Sequence, residues 1–317
     1  MMMAEPMIDI KGLVKDYDAT RAVDHLDLTI NKGEIFGLLG PNGAGKTTII
    51  LTLLGLSEPT AGSVTIKGRN AITEPISVKR FTGYLPDEVG FSDNNTGVEN
   101  LIYTALLNDV PREEAVKSAE ALLKTVGLEK AKDQKTKTYS KGMIQRLGLA
   151  DVLIKDPEII VLDEPTIGID PKGINEFLNL IRSLSKEKGI TVLLSSHLLH
   201  QVQKICDRVG LLVDGKLRAQ GDINELADEL FSDKETSISA EVAPITDALI
   251  TALEKEIAIK EIQQDKNLIV MEGRKDIAPF IAQTIADNHG KLYQLSYQEH
   301  GLDDIYQKYF EGGALNV

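Results

Sequence analysis

Residues Gly40 to Thr47, Gly-Pro-Asn-Gly-Ala-Gly-Lys-Thr, constrain this chain more than any other stretch, because they spell the phosphate-binding pattern G-x-x-x-x-G-K-[ST]. Three glycines in six positions allow a tight turn whose successive N–H groups point inward, and the positive end of a following helix adds to their attraction for a polyphosphate. In such a loop Lys46 reaches the terminal phosphates and the Thr47 hydroxyl reaches a Mg²⁺ ion. The flanks have the order this mechanism needs. Glu34-Ile35-Phe36-Gly37-Leu38-Leu39 is an apolar run fit for a buried strand, and Thr47 to Leu56 can continue as a helix.

The rest of the chain supplies an α/β frame. Met7 to Ile10 and Ala22 to Ile30 read as two strands joined by a turn, with Tyr17 in the polar turn Lys15-Asp16-Tyr17-Asp18. On the residues alone that ring is either an ordinary surface aromatic or a platform for adenine. Gly62 to Gly68 reads as a short alternating strand. Val98 to Asn108 and Arg112 to Val126 have helical spacing split by Pro111, so a mostly helical insertion interrupts the α/β pattern. Lys130 to Lys137 reads as a solvated loop. The pattern resumes with the strand Glu158 to Leu162, a helix from Gly173 to Lys188, and the strand Ile190 to Leu194, the alternation of a parallel sheet. Val209 to Leu217 suggests a hairpin turning at Asp214-Gly215.

Charge divides the chain. Of the net −13, residues 221–317 carry −11, with 8 basic and 19 acidic side chains, while the residues before them hold 27 and 29. Neither part offers a basic face for nucleic acid. Cys206 is the single cysteine and sits in an apolar pattern with Val202, Ile205 and Val209, which fits a buried thiol in a reducing compartment. No segment is long and apolar enough for a membrane span, and the start has no leader pattern. From Thr236 onward the acidic part reads strand, helix, strand, strand, helix, strand, the split βαβ order, with a last helix from Leu302 to Phe310.

The apolar strand Ile159 to Leu162 ends in Asp163-Glu164-Pro165. Downstream of a phosphate loop, Asp163 can hold Mg²⁺ through water, and Glu164 can orient and polarise the attacking water. In the plainer alternative these acids only end the strand and cap the next segment of chain. His197 also follows a strand directly. It is either structural or a hydrogen-bonding partner of the terminal phosphate.

In combination these stretches resemble the nucleotide-binding subunit of an ATP-binding cassette (ABC) transporter over residues 7 to 220. Gly40, Pro41, Asn42, Gly43, Ala44, Gly45, Lys46, Thr47 and Thr48 match the family's Walker A loop, and Ile159 to Glu164 match Walker B. Tyr139-Ser140-Lys141-Gly142-Met143, followed by Ile144-Gln145-Arg146, matches the signature motif, Thr166 to Asp170 the D-loop, His197 the switch histidine and Tyr17 the adenine-stacking aromatic. The resemblance implies a P-loop ATPase domain over 1–222, with a mixed sheet, an antiparallel β part and a helical insertion over about 85–155. It also implies a small ferredoxin-like α+β domain over 223–317. It implies Mg²⁺-dependent ATP hydrolysis with Lys46, Glu164 and His197 catalytic, and Thr47, Asp163 and Asp87 at the metal. ATP would be sandwiched in a head-to-tail homodimer, with Ser140 and Gly142 of one subunit facing the P-loop of the other. A separate permease would place the chain on the inner face of the cell membrane.

Three motifs depart from the family pattern. Asp87, in the loop Gly83 to Glu88, stands where most members have Gln, so a carboxylate replaces an amide beside the metal. Lys141 and Met143 replace Gly and Gln of the commonest signature, a variant that resembles ABC-2-type exporters of the drug-resistance group. Ile169 replaces the usual Leu. Two other readings are a soluble ABC ATPase acting away from membranes and a non-hydrolysing, ATP-dependent regulatory module. Paired cassettes in one chain or a long coiled coil would mark the first, and both are missing. Glu164 argues against the second.

Overall fold

The structure is a computed structural model that describes residues 6–198, 203–231, 236–256, 259–273 and 277–297. Strands β1 (Pro6–Tyr17) and β2 (Thr20–Asn31) form a long antiparallel hairpin, to which β4 (Ala61–Ile66) and β5 (Arg69–Asn70) add in the order β2-β1-β4-β5. β1 runs through Tyr17 and is longer than the sequence pattern predicts. Register shifts after Ile10, Leu13 and Lys15 carry the pairing past Gly12, which takes φ +55°, and blur the alternation.

The second sheet has the order β10-β9-β3-β8-β7-β6, built from β3 (Ile35–Leu39), β6 (Thr82–Leu85), β7 (Ile159–Asp163), β8 (Thr191–Ser196), β9 (Arg208–Val213) and β10 (Lys216–Gly221). Its neighbours are parallel except β9 and β10, the hairpin at Asp214-Gly215. The sequence pattern makes Gly83 to Glu88 a loop. Instead, its first half is strand β6, paired in register with β7 from Thr82↔Ile159 to Leu85↔Leu162. Pairing with a neighbour 77 positions away decides this, and a four-residue run carries no periodicity that reveals it. Helix α2 (Pro75–Phe81), which leads into β6, also has no strong sequence pattern.

α1 (Lys46–Leu53) packs Ile49, Ile50 and Leu53 into one core with Ile8, Leu28 and Val64 of the antiparallel sheet and Phe36, Leu38 and Val161 of the parallel one. Each such side chain contributes roughly 1.5–3 kcal/mol of burial. This core fixes the phosphate loop, since β3 enters it and α1 leaves it. A helical region follows, with α3 (Gly97–Leu107), α4 (Arg112–Thr125) and α5 (Lys141–Leu153) around Leu101, Leu123, Tyr139 and Leu147. Thr96 and Glu99 form a reciprocal capping box at the start of α3. The stretch Lys130 to Lys137 overlaps two short 3₁₀ turns, Glu129–Ala131 and Thr136–Thr138, and Thr136 is buried. Asp170 caps α6 (Pro171–Lys188), whose buried face is Ile174, Phe177, Leu178 and Ile181.

The chain divides into two compact units, with the division between Ile223 and Asn224. In sequence, α7 (Ile223–Phe231) spans that division. In the second unit β11 (Thr236–Ala243), α8 (Asp247–Glu254), β12 (Ile259–Asp265), β13 (Leu268–Gly273), α9 (Ala278–Asp287) and β14 (Lys291–Tyr297) make an antiparallel sheet of order β12-β13-β11-β14. Its own core holds Ile238, Val242, Leu249, Met271, Ile281 and Ile285. The expected helix Leu302 to Phe310 lies outside the described residues. Among the described residues no helix is long and apolar enough to cross a membrane. Cys206 is partly buried beside Gly37, and desolvation pushes its thiol above the ordinary range, which disfavours the thiolate.

Candidate nucleotide-binding site

The phosphate loop is shaped by what its glycines touch. Gly45 takes φ +104° at the N-cap of α1, and a Cβ there would run into the Ala22 carbonyl. At Gly40 a Cβ would overlap the Leu212 carbonyl. Only glycine fits either place, so the loop is clamped between the β1–β2 hairpin and strand β9. Lys46 is buried, and its Nζ donates to the Gly40 carbonyl at 2.8 Å and the Pro41 carbonyl at 3.1 Å. Its charge is held inside the loop rather than in solvent.

The ends of the parallel neighbours β7 and β8, with the start of α1, bring three polar side chains together, those of Asp163, Ser195 and Thr47. Thr47 Oγ1 donates to Asp163 Oδ2 at 3.0 Å, and Ser195 Oγ donates to Asp163 Oδ1 at 2.5 Å. The same Ser195 oxygen accepts the Glu164 N–H at 3.0 Å. Burial raises the Asp163 pKa above the ordinary carboxylate range, aided by the charges of Asp87 and Glu164 and opposed by the two hydroxyl bonds. Tyr84, on β6 nearby, is pushed up to about 12 by burial and by the charges of Asp163 and Asp87. Asp87 itself is exposed, and its Oδ1 accepts the Glu88 N–H at 2.8 Å.

Glu164 sits in the left-handed region at φ +46°, uncommon for a side chain of its size and typical of functional turns. Its Oε2 accepts from His197 Nδ1 at 2.9 Å, and its Oε1 lies 3.2 Å from Lys46 Nζ. That second contact is an ion pair without hydrogen-bond alignment, so Oε1 is a buried acceptor with no hydrogen-bond donor among the described residues. A buried acceptor left open is costly unless a donor such as water or substrate completes it. Lys46, Glu164, His197, Asp163 and Thr47 thus form one cluster.

The signature residues stand apart from it, at the start of α5. Ser140 is the N-cap, accepting the Met143 N–H at 3.3 Å. Lys141 is exposed and lies against Gly168, while Gly142 has Ile169 beside it. The structure gives neither Ser140 nor Gly142 a contact with this chain's own phosphate loop. Tyr17 is half exposed, with Lys15 Nζ 4.7 Å above its ring and its hydroxyl 3.4 Å from Ser57 Oγ. Ser195 bonds into this cluster without belonging to any of the motifs, though it is legible as a polar residue at a strand end; Gln145 lies in the stretch that follows the signature, and its buried contact is visible only in the structure.

A family model described as "ABC transporter" matches residues 23–167. The bacitracin transport ATP-binding protein BcrA of Bacillus licheniformis is 33% identical over 311 residues, covering 98% of this chain and 99% of that protein. This chain belongs to the ABC transporter ATP-binding family. The linearmycin resistance ATP-binding protein LnrL of Bacillus subtilis is 32% identical over 306 residues, 95% of this chain and 97% of that one. A dimeric ATP-binding cassette in a post-hydrolysis state with ADP and Pi matches 68% of this chain and 98% of its own, at 27% identity and a TM-score of 0.63. As an ABC ATP-binding subunit, the chain binds ATP and is an ATPase. The phosphate loop and Walker B acids lie within the matched segment; His197 lies beyond it.

Proposed function

We propose that two copies of this subunit energise export through a separate membrane permease, each ATP lying between the phosphate loop of one copy and the signature of the other. The observation that carries the hydrolytic part is Glu164, a buried carboxylate whose Oε2 accepts from His197 and whose Oε1, paired with Lys46 at 3.2 Å, has no aligned hydrogen-bond donor among the described residues. That oxygen can accept a proton from a water attacking the terminal phosphate, while His197 holds the carboxylate in orientation. Lys46, already buried at the loop, supplies positive charge to the terminal phosphates. Tyr17 carries the adenine ring.

The residues also fit Mg²⁺. Thr47 Oγ1 and Asp163 Oδ2 converge, and among the described residues no group of three His, Cys, Asp or Glu side chains could hold a metal alone. A site with one hydroxyl and one carboxylate suits an ion completed by phosphate oxygens and water. When bound, Mg²⁺ neutralises charge between the terminal phosphates. The charge of Asp87 bears on Asp163, and its carboxylate would face the metal or a water held by it.

The names of BcrA and LnrL support export as the direction and a permease as partner. A cavity of about 490 Å³ lined by Leu54, Leu56, Ile76, Arg80 and Lys155 supports a docking place for that partner, which would hold the subunit on the inner membrane face. The strand order β12-β13-β11-β14 with two helices supports a ferredoxin-like second unit, to which we assign dimer contact or regulation. Lys46→Ala tests the core of this reading. ATP binding and Mg²⁺-dependent turnover are both expected to collapse, and parental turnover would overturn the assignment.

A further inference from the structure

Gln145 lies on α5, five positions after the N-cap Ser140, and is fully buried. Its Nε2 donates to the Asp87 carbonyl at 3.4 Å, while its Oε1 has no hydrogen-bond partner among the described residues. Three positions on, Gly148 lies so close to Leu85 and Val89 that a Cβ there would overlap the Leu85 side chain. An amide tether and a close packed contact therefore join α5 to the segment 85–89. The same segment is anchored from its other side, because Leu85 pairs in register with Leu162, one residue before Asp163. The signature end of α5 and the acidic end of β7 are thus linked through five residues and one glutamine side chain.

Packing alone does not explain a glutamine here. A buried acceptor without a donor is a standing cost that an apolar side chain of the same length would avoid. We propose that Gln145 is a positioning residue for ATP hydrolysis: by holding the Asp87 backbone, it sets where α5 presents Ser140 and Gly142 relative to the hydrolytic carboxylates of its own chain. The inference rests on the signature acting across the dimer. Because the tether touches neither the phosphate loop nor Tyr17, its loss spares nucleotide binding by one subunit and impairs turnover, which needs both subunits aligned.

The test uses the full-length protein with Gln145→Met, which keeps the length and removes the amide, and Gln145→Glu, which keeps the shape and removes the donor. Thermal midpoint, ATP affinity of dilute protein, and turnover across protein concentrations are measured beside Ser140→Ala. Expected for Gln145→Met are a midpoint at or above the parent, ATP affinity within about twofold, and turnover lower by about tenfold or more, as a small misplacement of aligned groups produces. Gln145→Glu should show the same turnover loss. Parental turnover by Gln145→Met with impaired Ser140→Ala overturns the role of Gln145 alone. Parental turnover by Ser140→Ala overturns the signature reading on which it rests. Equal losses of ATP affinity and turnover in both Gln145 variants make the residue structural and also overturn the proposal.

Discussion

Glu164 and His197 are joined by a 2.9 Å hydrogen bond between Oε2 and Nδ1. An ionised carboxylate can only accept, so this bond holds the ring's proton on Nδ1. The bond crosses from the end of β7 to the residue after β8, and it exists because those strands are parallel neighbours.

Glu164→Gln keeps the size of the side chain but cannot take a proton from water. Turnover is expected to fall by ~10²- to 10⁴-fold with ATP still bound, and the protein should accumulate as an ATP-stabilised dimer. Light scattering with ATP checks the dimer, and a phosphate-release assay checks the rate. His197→Ala should lower turnover by about tenfold or more through loss of the carboxylate's alignment. A parental rate in Glu164→Gln removes that residue from the mechanism.

Asp163 predicts a pH dependence of stability. Burial raises its folded pKa, so the neutral form is the one the fold prefers. The stability this brings is fully present below the unfolded value of about 3.9 and is lost as pH rises through the raised folded value. Asp163→Asn, neutral at every pH, is therefore expected to melt higher than the parent at neutral pH. Each 1 kcal/mol of gain raises the midpoint by roughly 2–4 °C in a unit of this size. The gap should close as pH falls through the acid range, while turnover stays near background. Melting curves at several pH values decide it, and a gap that widens toward acid contradicts the burial effect.

Asp87→Gln restores the amide usual in the family at an exposed position whose carboxylate bonds the Glu88 N–H. If the carboxylate acts only through water, Mg·ATP affinity should change by less than tenfold, about 1.4 kcal/mol, and stimulation by the permease should change more. Titration with and without Mg²⁺ separates the outcomes. A larger loss of affinity makes Asp87 a direct metal ligand.

Much of the site is legible in the amino-acid sequence because its motifs are local. Gly40 to Thr47 and Asp163-Glu164 each sit at the end of an apolar run, and strand ends are where a parallel sheet places ligands. The Asp214-Gly215 turn and the order of the acidic unit are legible for the same reason, since turn chemistry and short periodicities are written in neighbouring residues. Strand β6 and helix α2 are not, because a four-residue edge strand is decided by its partner β7.

The sequence by itself determined which groups are candidates for the chemistry: a glycine loop with Lys46 and Thr47, two acids, a histidine, and a signature serine and glycine. Only the tertiary structure decided what each one touches. Ser195, with no motif of its own, bonds both Asp163 and the Glu164 backbone because β8 lies beside β7. Lys46 and Glu164, 118 positions apart, become an ion pair of 3.2 Å because β3 leads directly into the loop and β7 is separated from β3 only by β8. Gln145 meets Asp87 because Gly148 lets α5 approach the end of β6. Such meetings depend on strand order and on close approach of backbones, and both are settled by packing across the whole unit rather than by any stretch of chain within it.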